Sequence, residues 1–563
     1  CRPQLLTPAM TSWPRLPSAA GAGLFALTCT WLVIGQPQLP WVGFPPDPPQ
    51  ARAADGDIAI YREATGLQTI GTNPTDITWD TTVRQDSGYL LNFFNNTDIW
   101  LFDAGHYLVM YSVPSESSGG TNRSEMQSWL RLNDTTDLAY GRGQGYIRRA
   151  GGNDEGYNQG AAIIEVAAWD EIRLQMQRTD SNSATVRTRA DKSGIQFLKL
   201  DDSWDYLRSR PSTNQAFGSD QSFVDIALGT DDELDTGSFS RSGAAITLKE
   251  AGHYLVTYNV GITHTSGGDR TNDEVRLVID NGTPVEIDGT RVTAYMRANN
   301  STQDGVAAWA GIISVAADDV LKMQIRREAE RQANGHEIKA AETGITIAKL
   351  PDNADYLRIG ESSGGQDLST SRTTITWDET IEEDSNSFDH DNTNTSRINI
   401  ESSGDYLFFH SLYAERPSGS TREAQFLEWR SNGSTLYPYG SSGQYNRGEE
   451  GSGGDSYTSG SSAGFIAHGL SASDYLELTQ INETGTDAST YQADRMGIQG
   501  VNIATLFATT YSITEQNHFR WRDDTTALNT SGGWRANEDT NPSAVIPDYS
   551  EQYRLRIEVA NSG

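Results

Sequence analysis

The sequence predicts an all-β chain built from three tandem β-sandwiches, and three observations carry that reading. Four sequence blocks recur three times in the same order. Each block alternates in the manner of a strand, with β-branched and aromatic residues dominating. Between the blocks lie clusters of Gly, Ser, Asn and Asp that read as turns and loops.

The repeat is the decisive feature. The first block is AGHYLVMYSV at 104–113, AGHYLVTYNV at 251–260 and SGDYLFFHSL at 403–412. The second is SWLRLNDT at 128–135, VRLVIDNG at 275–282 and FLEWRSNG at 426–433. The third is EVAAWDEIRLQMQR at 165–178, SVAADDVLKMQIRR at 314–327 and HGLSASDYLELTQI at 468–481. The fourth is SGIQFLKL at 193–200, TGITIAKL at 343–350 and MGIQGVNI at 496–503. Gly105, Gly252 and Gly404 are spaced by 147 and 152 residues, and the other blocks by 147 to 154. Within the first block Tyr107, Val109 and Tyr111 alternate with His106, Leu108 and Met110. No stretch of a dozen residues keeps a helical period. Many short strands with frequent turns therefore point to sandwiches. The connections are short: DYLR recurs at 205–208 and 355–358, a few residues after Leu200 and Leu350, so the repeats are close neighbours.

The boundaries expected are an upstream remnant and export signal at 1–53, repeats at 54–202, 203–352 and 353–507, and the start of a further β-module at 508–563. A chain of 563 residues with 36% hydrophobic and 21% charged residues and 54 Gly suits several soluble, turn-rich domains. A net charge of −32 makes nucleic acid and anionic lipid poor partners. Both cysteines, Cys1 and Cys29, precede the repeats, so no disulfide staples them and no cysteine in the repeats serves catalysis. Arg15, the apolar run 19–35 and Ala51-Arg52-Ala53 describe an export signal cleaved after Ala53. An uncleaved membrane anchor is the alternative. Either way the repeats are expected outside the cytoplasm, secreted or at the cell surface.

The motif Gly105-His106-Tyr107, repeated as Gly252-His253-Tyr254 and Gly404-Asp405-Tyr406, follows apolar strands at 99–102, 246–248 and 398–400. With the Gly-containing closing strand, this pattern resembles the C1q-like and tumour-necrosis-factor-like jelly-roll superfamily, of a bacterial extracellular type, over about 57–507. The resemblance implies three tandem jelly rolls, trimeric packing, and ligand sites on exposed loops. With three copies in one chain, trimerisation has two forms: one intrachain pseudo-trimer, or a rod that trimerises with other chains.

Among the eight histidines only His106 and His253 share a position, where the third repeat has Asp405, so a common metal or general-base role is not expected. The sequence has no H-E-x-x-H, G-x-S-x-G or phosphate-binding loop. The acidic runs Asp231-Asp232-Glu233, Asp318-Asp319 and Glu382-Glu383-Asp384 would suit calcium through hard oxygens, but they lack a spaced calcium loop and read first as solvated turns. Asn-x-Ser/Thr triplets at Asn95, Asn122, Asn133, Asn281, Asn432 and Asn482 mark exposed loops.

The candidate contact loops are 115–124, 264–272 and 414–424, where GGTNRSE, GGDRTNDE and SGSTRE place Arg123 and Glu125, Arg270 and Glu274, and Arg422 and Glu423. These pairs either touch a ligand or fix the loop by a salt bridge. After Phe507 a new pattern ends in the alternating strand 553–559, which resembles the opening of a small β-module of bacterial secreted proteins. Because it stops directly after a strand, it is expected to be incomplete. The expected function is non-enzymatic, adhesin-like binding of a glycan or protein ligand. A filament or fibre subunit and an accessory region of a secreted hydrolase are the alternatives.

Overall fold

In a computed structural model of the chain, the residues described are 56–507 and two further strands. The short stretches 93, 118–122, 149–153, 181–184, 218–221, 265–269, 298–303, 328–334, 416–421, 448–457 and 483–488 are excepted. The proposed leader lies outside the described residues. Strands dominate, and the described helices are short: Ala340–Glu342 and Ile503–Leu506.

Each repeat folds as a jelly-roll sandwich of two antiparallel sheets. In the first repeat the inner sheet runs Thr81–Gln85, Ile58–Glu63, Ser193–Lys199, Gly105–Ser117, Glu155–Val166. The outer sheet runs Gly143–Ile147, Ser124–Leu132, Asp170–Arg178, Ile99–Leu101, Tyr89–Leu91. The second repeat builds its inner sheet in the same order from Thr230–Leu234, Tyr206–Arg210, Gly344–Lys349, Gly252–His264 and Asp304–Val315. The third does so from Glu379–Glu383, Tyr356–Gly360, Gly497–Asn502, Gly404–Glu415 and Thr458–Leu470. The four blocks read from sequence are thus the long central inner strand, two outer strands and the closing inner strand of each sandwich.

The strand Gly105–Ser117 is buried along both faces, which explains its near-continuous apolar sequence. Tyr107, Val109 and Tyr111 pack into the core of their own sandwich. Leu108 and Met110 face the other way. They join Leu255, Ile312, Phe409 and Ile466 in one apolar cluster drawn from all three repeats. The period of two therefore separates two cores rather than core from solvent. Each fully buried aliphatic side chain in that shared cluster contributes roughly 1.5–3 kcal/mol relative to exposure.

The three inner sheets consequently close on one another. Every pair of repeats is in contact. Ile163 N donates to Thr346 Oγ1 (3.0 Å) between the first and second. Gly460 N donates to Thr293 Oγ1 (2.9 Å) between second and third. Ile466 N donates to Gln196 Oε1 (2.6 Å) between third and first. At one end of the shared core the rings of Tyr146, Tyr295 and Tyr445 meet pairwise, with centroids 4.7, 5.0 and 5.0 Å apart.

Beyond the sandwiches, Thr514–Asp523 pairs antiparallel with Tyr553–Asn561, with a register shift between Gln516 and His518. That hairpin is what the structure describes of 508–563.

Candidate functional site

The repeated Gly-x-Tyr motif forms a clamp at the start of each long inner strand. Gly105 and Gly252 adopt φ of 130° and 127°, in the region that favours glycine. A Cβ at either would run into a carboxylate, Asp202 or Asp352, and into Lys199 or Lys349. Those lysines bond the same carboxylates, Lys199 to Asp202 at 2.8 Å and Lys349 to Asp352 at 2.6 Å. Each also lies 5.4 Å from the ring centre of the motif tyrosine, Tyr107 or Tyr254. Tyr107, Tyr254 and Tyr406 each donate from the hydroxyl to the carbonyl four residues back, Asp103, Glu250 and Ser402. Gly404 is different: it has no positive φ, and the nearest atom to its Cβ would lie 3.8 Å away. Two of the three motif glycines are therefore held to glycine by the local backbone and the Lys–Asp pair above it.

The residue between Gly and Tyr sits on the seam with the next repeat. His106 stacks on Tyr206 of the second repeat, ring centroids 3.7 Å apart, and its Nε2 lies 2.9 Å from Glu233 Oε1. His253 stacks likewise on Tyr356 of the third repeat at 3.8 Å, with Nε2 2.9 Å from Glu382 Oε1. The third seam reverses the charges: Asp405 accepts from Arg84 of the first repeat. Strand register shows that this is one position in three versions. Arg84 lies opposite Ile60, Glu233 opposite Arg208, and Glu382 opposite Arg358. Burial pushes Glu233 up, but His106 and Arg208 outweigh it and hold the carboxyl below its usual range. His253 holds Glu382 down in the same way.

His106, Glu165 and Glu233 bring one ligand atom each within 4.8 Å of one another, a spacing that could hold a cation. The donor set is already engaged, however. Arg208 donates to Glu233 at 2.8 Å and also to Glu165, and His106 Nδ1 faces Asp202 at 3.2 Å. A guanidinium bridging both carboxylates occupies the place a cation would take, so the group is a charge network. The acidic runs behave similarly. Asp231 pairs with Arg241, Asp232 with Arg210 and Glu383 accepts from His390 N. Among the described residues, Glu233 is the one member of these runs that falls in a group of three metal-ligating atoms within 4.8 Å of one another.

The candidate contact residues lie in a different setting from the one expected. Glu125, Glu274 and Glu423 are each 0% exposed. Glu274 is held at the seam by Arg291 Nη1 (3.1 Å), Arg326 Nε (2.7 Å) and Thr458 Oγ1 (2.9 Å), and by Tyr413 of the third repeat. Burial raises its carboxyl, but Arg326, Arg291 and Tyr413 outweigh it and hold it down. Glu125 takes a hydrogen bond from Thr179 Oγ1 at 3.0 Å, and burial, with Asp304 nearby, pushes its carboxyl well above the usual range. Glu423 accepts from Ser489 Oγ. Side chains removed from water cannot meet an external ligand, so these three are corrected from ligand contacts to interior polar residues. Arg123 is half-buried. The side chains of Arg270 and Arg422, and the tips of all three loops, lie outside the described residues.

Two sets of residues carry repeated roles that the sequence reading did not assign to them. Asn133, Asn281 and Asn432, read as loop markers, clamp two hairpin turns together: their Nδ2 groups donate to Asp170, Asp319 and Asp474 at 2.7, 2.7 and 2.8 Å. Their Oδ1 atoms accept from Glu171, Val320 and Tyr475 N at 3.0, 3.0 and 3.1 Å. The tyrosine trio has a legible signal too, since Tyr146, Tyr295 and Tyr445 each open a Tyr-x-Arg triplet.

No family model matches the chain, and no curated protein matches it. Among solved structures, murine APRIL at pH 5.0 aligns over 26% of this chain and 99% of its own, at 14% identity and TM-score 0.20. Eiger TNF from S. frugiperda aligns over 27% and 96% at 12% identity and TM-score 0.21. The tandem CBM22 domains of Paenibacillus barcinonensis Xyn10C align over 53% and 99% at 12% identity and TM-score 0.18. Values this low carry no argument about function; the jelly-roll assignment rests on the strand order itself.

Proposed function

We propose that the chain is a secreted or surface-exposed, non-enzymatic binding protein of adhesin-like character, a C1q-like or tumour-necrosis-factor-like assembly whose three jelly rolls act as one intrachain pseudo-trimer. The observation that carries this reading is the closed set of three seams, with long inner strands buried on both faces. That packing leaves outer sheets, loops and the openings of the seams to meet a glycan or protein partner. The titratable groups at the seams are engaged with one another, which favours a structural over a catalytic role for them. Among the described residues no helix is long and apolar enough to cross a membrane.

A glycan array and a surface-protein pull-down on the full chain, each with and without chelator, test the reading. Saturable binding supports it, and loss of binding with chelator would assign calcium a part. Filament formation with no ligand would overturn it in favour of a fibre subunit.

A further inference from the structure

We infer that the seam between the first and second repeats holds a binding site for a small, neutral, polyhydroxylated molecule of one or two sugar rings; this deepens the proposed binding role and rests on it. A cavity of about 350 Å³ opens there, within the range of roughly 300–1,000 Å³ typical of small-ligand pockets. One wall comes from the first repeat, including Leu138, Ala139, Tyr140 and Ile164; the other comes from the second, including Arg210 and Ala341.

The other seams carry different residues at the positions that line the cavity. Its counterpart between the second and third repeats, around Arg358, holds about 10 Å³. There the strand partner of Ile359 is Thr380, and Gly360 replaces the long side chain that Arg210 supplies in register. At the third seam Ile60 stands where the others carry arginine, and Ile60 and Val83 pack into the shared apolar cluster.

Its chemistry selects against ions. Arg208 and Arg210 face three carboxylates, Asp137, Glu165 and Asp232, so the lining carries one net negative charge. Asp232 binds Arg210 through both oxygens, at 2.9 and 3.2 Å, and accepts from Tyr140 at 2.7 Å. A free anion meets excess negative charge, while a cation meets two guanidinium groups. A hydroxyl can donate to a carboxylate and accept from a guanidinium at once. Arg208 and Arg210 each keep Nη1 outside any bond to the described residues, and the Glu165 side chain is 53% exposed. Leu132, Leu138, Ile164 and Val166 provide an apolar face for the C–H side of a ring.

The test uses the full chain with glucose, galactose, mannose, N-acetylglucosamine, lactose and cellobiose, by saturation-transfer NMR and calorimetry. At least one sugar is expected to bind, with magnetisation transfer from the methyl groups of Leu138 and Ile164. Ala139→Trp and Ala341→Trp fill the space from opposite walls, and each is expected to weaken binding at least tenfold with an unchanged one-chain mass and melting temperature. If one variant fails to fold, the other and the wild-type transfer pattern decide. Absence of binding by every sugar overturns the inference, as does binding indifferent to both variants. Competition by sodium acetate or phosphate would overturn the neutral ligand class. Arrayed glycans distinguish a free sugar from the end of a surface glycan. Array binding that survives both variants removes this site while leaving the broader binding role standing.

Discussion

At the residue scale, three copies of one motif need glycine for unequal reasons. Gly105 and Gly252 hold a positive φ beneath a Lys–Asp pair, whereas Gly404 has extended room around its Cα. Gly105→Ala is expected to cost about 1–3 kcal/mol from backbone strain and displacement of Asp202. Gly404→Ala is expected to stay within about 0.5 kcal/mol, measured by urea unfolding. His410 provides a pH test. It is fully buried, its Nδ1 accepts from Trp429 Nε1 at 2.9 Å, and its Nε2 lies 2.8 Å from Ser442 Oγ. Indole N–H only donates, so Nδ1 is bare and Nε2 carries the proton. Burial pushes this histidine down to about 3. Because the folded value lies below the unfolded one near 6.5, its stabilising effect is present above that pH and is lost as pH falls towards 3. Between pH 7 and 5 the wild type should lose about 2 kcal/mol more than His410→Gln, compared by denaturant midpoints at each pH.

At the scale of elements, the seams are where one sequence position makes two kinds of contact. His106 with Glu233 and His253 with Glu382 repeat each other, and Asp405 with Arg84 reverses the polarity. Placing Asp405 against either glutamate would oppose two carboxylates, so the reversal favours closure of the third repeat on the first. Arg84→Glu is expected to destabilise by about 1–3 kcal/mol, and Arg84→Glu with Asp405→Arg to recover at least half, giving a favourable coupling in a double-mutant cycle. The strands themselves were readable in sequence, because alternation and collinear recurrence are properties of neighbouring residues. The seam partners were harder to see: Glu233 is 127 residues from His106, and Arg84 is 321 from Asp405. The substitution of His by Asp in the third repeat, matched by Arg for Glu at the partner position, was the available signal. The paired Arg and Glu of the loop motifs looked like surface contacts because sequence shows proximity to a loop, not the burial that packing imposes on Glu274 or Glu125.

At the scale of the whole molecule, the two faces of one strand explain the architecture. Val109 and Tyr111 build a sandwich, and Leu108 and Met110 hold three sandwiches together. The sequence motif could not choose between closure within a chain and closure among chains, because both bury the same face. The cyclic series of seams, ending on a pair with reversed charge, is what favours the single chain. Mass in solution by light scattering on the full chain, from low to high concentration, tests this most directly. The expected result is the mass of one chain at every concentration; a stable three-chain mass would contradict it.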